Sequence, residues 1–332
     1  MASTKEIQRR IKSIGSIKKI TRAMEMVAAV KMRKTIEAVI KTRAYANLSW
    51  LTLLNISESA QASKHLHPLL EKRKEVKKEA IILLTSNRGL CGSFNSAIIN
   101  KAINSIKKHG TEEKKLTASL TKEISKQVDF IIMGKKGAVV KSRHNFNIAG
   151  EFSKEDVAYE VKEIVPMAKM VIDDFLSGKY DKVMVAYTDF VNASKQVPRV
   201  KQLLPIDLEA KDNHLGIVGN DPRVGLDKEF IKTKEERYLH DQKKNSFVFT
   251  YEPDPEKVLN EILPRLIEVQ LFQALLESNA SEHGARMTAM HQANEAAEDL
   301  SSELTLFYNK ARQASITSEI SEIVAGVNAL AG

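Results

Sequence analysis

The sequence contains a single cysteine, Cys91, in 332 residues. No disulfide or dithiol switch can therefore form within one chain, and a reducing compartment fits. No run of 18 or more apolar residues occurs, so no segment reads as a membrane-spanning helix. The opening residues, MASTKEIQRR, lack the apolar core of a signal peptide. Neither G-x-x-x-x-G-K-[ST] nor G-x-G-x-x-G is present, so the two common phosphate-cradling loops are missing. Tyr45 is the only aromatic residue in the first 45, which leaves no stacking platform there for nucleic acid.

Proline is absent after Pro264, and from about Glu256 to Leu330 only Gly284 and Gly326 interrupt a helical pattern. An unbroken helix over that stretch is roughly 110 Å long. Met290, Ala293, Ala297, Leu300, Leu304, Phe307, Ala311 and Ala314 alternate at spacings of three and four. That is the seam of a left-handed coiled coil, and its alanines let the partner helix approach closely. A helix of this length with one apolar stripe needs a partner.

The partner is expected at the other end of the chain. Residues 3 to about 56 read as a second long helix, with Ser3 or Thr4 as cap and Glu6 in the first turn. Ile7, Ile11, Ile14, Ile17, Ile20, Met24 and Val27 form its stripe. The formal net charge is +9, and residues 1–45 alone carry twelve Lys/Arg against three Glu. Residues 254–332 carry twelve Asp/Glu against five Lys/Arg. Opposite charge and matching stripes predict an antiparallel pair, with the middle of the chain projecting from one side.

That middle alternates strand and helix. Residues 57–79 read as a solvated connector. Strands are expected at 80–86, 128–134, 182–190 and 197–205, with helices at 93–108 and from Ser153 to about Phe175. This predicts an open, Rossmann-like α/β layer. Residues 206–246 read as an irregular insertion with a short helix near 228–237, and SFVFTYE (246–252) as a final strand. The expected domains are therefore 1–56, 57–252 and 253–332.

TSNRGLCGSFN (85–95) lies after a strand and before a helix, where α/β folds cradle phosphates. Its glycines are better read as a tight turn, and Cys91 as a packed residue, since no histidine is near it in sequence. The histidine pairs His65/His67 and His283/His291 lack a ligand pattern around them. No catalytic, metal-binding or cofactor-binding set is predicted. A nucleotide-using α/β enzyme would need a phosphate loop. A basic coiled-coil nucleic-acid binder would show a steep salt dependence.

IKSIGSIKKITRAMEMVAAVKMRK (11–34), TSNRGLCGSFN (85–95), YEPDP (251–255) and YNKARQASITSEISEIVAG (308–326) together resemble the gamma subunits of F-type ATP synthases, over nearly the whole chain. Asn87 stands where aspartate is usual in that family, and Val327 where alanine is usual. The resemblance implies an antiparallel coiled coil of the termini plus a Rossmann-like domain. It implies a non-catalytic rotor shaft that couples proton- or sodium-driven rotation of a membrane c-ring to cycling of the catalytic beta subunits. The implied partners are the alpha and beta subunits, the epsilon subunit and the c-ring. By position, the implied hexamer contacts are Lys18, Lys19, Arg22, Met24 and Glu25 in the first helix, and Arg312, Gln313, Thr317 and Glu319 in the last. The absence of a transit segment gives the expectation of a bacterial source, peripheral to the cytoplasmic face of the inner membrane.

Overall fold

The computed structural model describes residues 4–60, 67–73, 75–116, 127–155, 160–206 and 255–331. Two compact units form, one of Met1–Ala29 with Arg286–Gly332 and the other of Val30–Ala285. Two helices run through both: α1 (Thr4–Ala60) and α5 (Pro255–Ala331), of 57 and 77 residues.

In the first unit α1 and α5 pair antiparallel. Thr21 faces Asn294, Lys18 faces Glu298 and Glu25 faces His291, so each step up α1 is a step down α5. The side chains turned inward on α1 are Ile7, Ile11, Ile14, Lys18, Thr21, Glu25 and Ala28, a strict alternation of four and three. The expected stripe ran through Ile17, Ile20 and Val27 instead, and all three are exposed. Its consecutive steps of three rotate the stripe back by about 60° each, off the seam. On α5 the inward residues are Met290, Asn294, Ala297, Ser301, Leu304, Tyr308 and Ala311. Half of the expected seam is therefore displaced by one residue. Ala293 and Ala311 are half-buried, while Leu300 (50 % exposed) and Phe307 (61 %) turn to solvent. Apolarity alone marked those two positions as core, and the more polar Ser301 and Tyr308 occupy it.

The second unit holds a five-stranded sheet: β1 (Lys78–Leu84), β2 (Gln127–Met133), β3 (Asn147–Phe152), β4 (Lys182–Phe190) and β5 (Gln196–Leu204). The order is β3-β2-β1-β4-β5. The first four are parallel and β5 runs antiparallel to β4. The central strands are near-continuous apolar runs because both faces are covered. Alternation divides them: Ile82, Leu84, Ile131, Met133, Val183 and Val185 point to one core, and Ile81, Leu83, Phe130, Ile132 and Met184 to the other. The second core is closed by α2 (Phe94–Leu116) and α3 (Val139–His144). The first is closed by α4 (Val165–Leu176), by Val39 of α1, and by α5 from Leu259 to Leu276.

Two expectations are corrected here. The helix expected from Ser153 begins only at Val165, with Pro166 in its first turn, where proline is tolerated. Ahead of it lies the unpredicted edge strand β3. It is half-exposed and carries Gly150, packed under Met170, so it shows no apolar run. The expected strand at 246–252, the helix near 228–237, the rest of the 206–246 insertion beyond Ile206, and His65 lie outside the described residues.

Gly134, at the end of β2, adopts φ +108°, and a Cβ there would overlap the Thr85 carbonyl. Gly134→Ala is expected to destabilise the α/β unit by about 1–3 kcal/mol. Urea unfolding followed by far-UV circular dichroism measures it, and an unchanged midpoint would show that the loop yields.

Candidate functional site

Two constellations stand out, one in each unit. In the coiled coil, Thr21 Oγ1 donates to Asn294 Oδ1 at 3.0 Å, and Asn294 Nδ2 donates to Glu25 Oε2 at 3.4 Å. Both ends of the amide are thus used inside an otherwise small-residue seam. A polar pair in such a seam specifies register, since any slip leaves its groups unpaired. Glu25 also meets His291 Nδ1 at 3.0 Å, and His291 Nε2 lies 3.5 Å from Glu295. Lys18 Nζ lies 3.0 Å from Glu298. The basic α1 and acidic α5 thus meet through discrete pairs.

Of the contacts implied by resemblance, Lys18 and Glu25 are therefore engaged by α5 itself. Met24 is half-buried beside them, while Lys19 and Arg22 are exposed. Arg312, Gln313, Thr317 and Glu319 all lie on α5 past the seam and are exposed. Thr317 Oγ1 donates back to the Gln313 carbonyl at 2.9 Å, and Glu319 accepts from Ser315 Oγ at 3.4 Å. Continuing the register brings Thr4, the first residue of α1, opposite Ala311. Beyond it, residues 312–328 are exposed on every side. Ile316, Ile320, Ile323, Val324 and Val327 form an apolar stripe along that stretch.

The second constellation is at the C-terminal edge of the parallel strands. Thr85 and Ser86 are fully buried, and Ser86 N–H donates to Asn95 Oδ1 at 3.0 Å. Cys91 is buried and accepts from Asn95 Nδ2 at 3.3 Å. The glycine-bearing loop is thus closed on itself, with Cys91 as packing. Asn87 uses both amide ends: Nδ2 donates to the Lys154 carbonyl and Oδ1 accepts the Lys135 N–H at 3.2 Å. An aspartate at this position could not make the first bond. Lys154 Nζ in turn reaches Glu282 of α5 at 2.7 Å. The crevice that holds ligands in open α/β folds is occupied by the chain's own α5. Sequence reasoning missed Lys154 and Glu282, which lie 128 residues apart and belong to no local pattern.

His67 is a structural residue of the connector. Its Nδ1 accepts the Leu69 N–H at 3.1 Å and Nε2 lies 2.8 Å from Asn260 Oδ1. Burial pushes its pKa below the ordinary histidine value, against the Asn260 bond. Among the described residues no group of three or more His, Cys, Asp or Glu could hold a metal ion, and no helix is long and apolar enough to cross a membrane.

An antiparallel pair of long helices in one unit and a five-stranded α/β sheet packed on the same two helices in the other define the class. The family model described as ATP synthase matches residues 3–330. The ATP synthase gamma chain of Chloroflexus aurantiacus is 39% identical over 330 residues, 99% of each chain. That of Maridesulfovibrio salexigens is 35% identical over the full length of both. Among solved structures, a chain of the central stalk and c-ring assembly of Tetrahymena thermophila mitochondrial ATP synthase aligns with TM-score 0.52 and 25% identity, covering 82% of this chain and 99% of that one. A chain of the Euglena gracilis enzyme shares the fold with TM-score 0.58 at 18% identity, over 98% of this chain and 94% of that one. The chain belongs to the ATP synthase gamma-chain family. It is a non-catalytic rotor-shaft subunit of an F-type ATP synthase.

The seam assignment has a direct test. Ala297 is buried against α1, so Ala297→Leu is expected to cost about 1–3 kcal/mol by overpacking. Leu300→Ser, one position outside the seam, is expected to change the stability of the isolated chain by no more than about 0.5 kcal/mol. Thermal unfolding of the two variants side by side decides it. The reverse order of effects would return Leu300 to the seam.

Proposed function

We propose that the uncovered end of α5 is the bearing of the rotor and turns inside a sleeve of alpha and beta subunits. The observation that carries this is the apolar stripe of Ile316, Ile320, Ile323, Val324 and Val327 on a helix that has outrun its partner. A lone amphipathic helix is marginal in water, and its apolar face requires cover from another chain. Arg312, Gln313, Thr317 and Glu319 border that stripe and are the polar contacts. Lys19 and Arg22 contribute a second contact on α1, where the basic excess of residues 1–45 is only partly matched by α5. The α/β unit bears on the epsilon subunit and the c-ring. Ion flow turns the ring and shaft, and each beta subunit responds because the shaft makes different contacts with each of its conformations. The complex sits peripherally at the cytoplasmic face of a bacterial inner membrane.

Two measurements test the reading. Ile320→Asp with Ile323→Asp is expected to leave the melting curve of the isolated chain unchanged while lowering its capture by alpha and beta subunits about tenfold or more, as for loss of central apolar anchors. Undiminished capture would remove the bearing role. Lys19→Glu with Arg22→Glu, which spares the internally paired Lys18, is expected to reduce ion pumping per ATP hydrolysed more than the hydrolysis rate. Exposed pairs are individually weak, so assembly should persist. An equal fall in both activities, or none, would exclude these two residues as the coupling contact.

A further inference from the structure

The C-terminal edge of the sheet is bonded to α5 directly from β4 and from the residues after β3, and the ends of β1 and β2 join the same network through Lys154 and Asn87. Ser281 Oγ donates to the Thr188 carbonyl of β4 at 3.1 Å. One residue on, Glu282 Oε2 accepts from Lys154 Nζ at 2.7 Å. Lys154 lies two residues past β3, and its Nζ also donates to the carbonyl of Thr85, just past β1, at 2.8 Å. The Lys154 carbonyl accepts from Asn87, whose Oδ1 takes the N–H of Lys135 after β2. The side chains of Lys154 and Glu282 are 2% and 6% exposed. One turn of α5 therefore gathers β1, β2, β3 and β4.

The apolar core beneath this turn, Leu259 to Leu276 against the sheet, supplies most of the burial but little direction. A helix turned or shifted against such a surface meets only shape. The ion pair differs. Buried charges are poor contributors to net stability, because losing water offsets their attraction, yet they tolerate only one register. Rotating α5 by a single residue would carry Glu282 away and strand two charges in a dry interior.

From this we infer that the Lys154–Glu282 pair is a torsional pin. It fixes the rotation and height of α5 against the sheet, so that torque applied to the α/β unit reaches the helix without slip. The inference rests on the rotor function above. Lys154 and Glu282 are positioning residues and touch no nucleotide.

The test uses the assembled complex in ion-tight vesicles, with ATP hydrolysis and uptake of protons and of sodium measured together, the ion that the wild type takes up serving as the readout. Lys154→Met with Glu282→Met replaces the pair by apolar side chains of similar length. The expected result is an assembled complex that hydrolyses ATP at close to the wild-type rate and pumps at least about twofold fewer ions per ATP, a coupling change within the range seen for residues that touch neither ligand. Glu282→Gln keeps a hydrogen bond to Lys154 and removes the charge, and it should fall between wild type and the double variant. A ratio equal to wild type in the assembled double variant overturns the pin. If that variant fails to assemble, Glu282→Gln decides by the same criterion. Wild-type vesicles that hydrolyse ATP but take up neither protons nor sodium would instead overturn the rotor reading, and the pin with it.

Discussion

A helix of 77 residues must be covered along its length, and α5 meets that need differently in each part. From Leu259 to Leu276 it is a large-residue helix, rich in leucine, pressed on one face of the sheet. From Met290 to Ala311 it turns a mixed face, with Ala297, Ser301 and Ala311 among larger residues, to its partner α1. Past Ala311 it carries an exposed isoleucine and valine stripe that none of the described residues covers. The composition changes where the partner changes. Large residues suit a broad sheet face, alanine and serine suit a second helix at close range, and β-branched residues remain for whatever lies outside.

The passage between the first two environments explains the polar run in the middle of α5. Ser278, Asn279, Ser281, Glu282 and His283 are all buried, which is unusual for consecutive helical positions. The helix is enclosed here on every side. Gly284 shows how tightly: a Cβ would lie 3.2 Å from Phe190 of β4 and 3.5 Å from Met32 of α1. Ser281 and Glu282 are bonded to the strand ends, whereas the side chains of Ser278 and Asn279 make no hydrogen bond among the described residues. The loop over 85–95, placed where other α/β folds hold phosphate, serves the same attachment. Its Asn87 secures the backbone of Lys154, and Gly134 lets β2 turn close beneath Thr85.

The parts legible in the sequence are those with a period or a local signature. The two long helices follow from their 3.5-residue repeat, and β1, β2 and β4 follow from apolar runs between turn residues. Edge strand β3 was not legible, because a half-exposed edge keeps no apolar run and Gly150 breaks what pattern there is. Nor was the second seam position of the coil. Leu300 and Phe307 are more apolar than Ser301 and Tyr308, yet the register fixed by Thr21 and Asn294 turns them outward. The Lys154–Glu282 pair joins two helix-distant residues, so no window of sequence contains it. Local chemistry predicted elements; it could not predict which face of an element a distant partner would claim.

Those misplaced apolar residues bear on how a shaft can turn in a bearing. Ile17, Ile20 and Val27 on α1, and Leu300, Phe307 and the stripe past Ala311 on α5, are outward-facing and apolar. Apolar contact is non-directional and scales with area. A sleeve that meets such a surface loses little as the surface slides, so the angular barriers stay low. Charge-assisted hydrogen bonds behave oppositely, because they weaken steeply off their preferred geometry. In the proposed bearing, the exposed cations among the apolar residues, such as Lys19, Arg22 and Arg312, would favour particular angles without locking the shaft at any of them. Inside the chain the arrangement is reversed. There the directional pairs, Thr21 with half-buried Asn294 and fully buried Lys154 with Glu282, would resist the slip that the outer surface permits. A rotor needs both: bonds that hold its own parts in register, and a surface whose contacts can be exchanged at small cost.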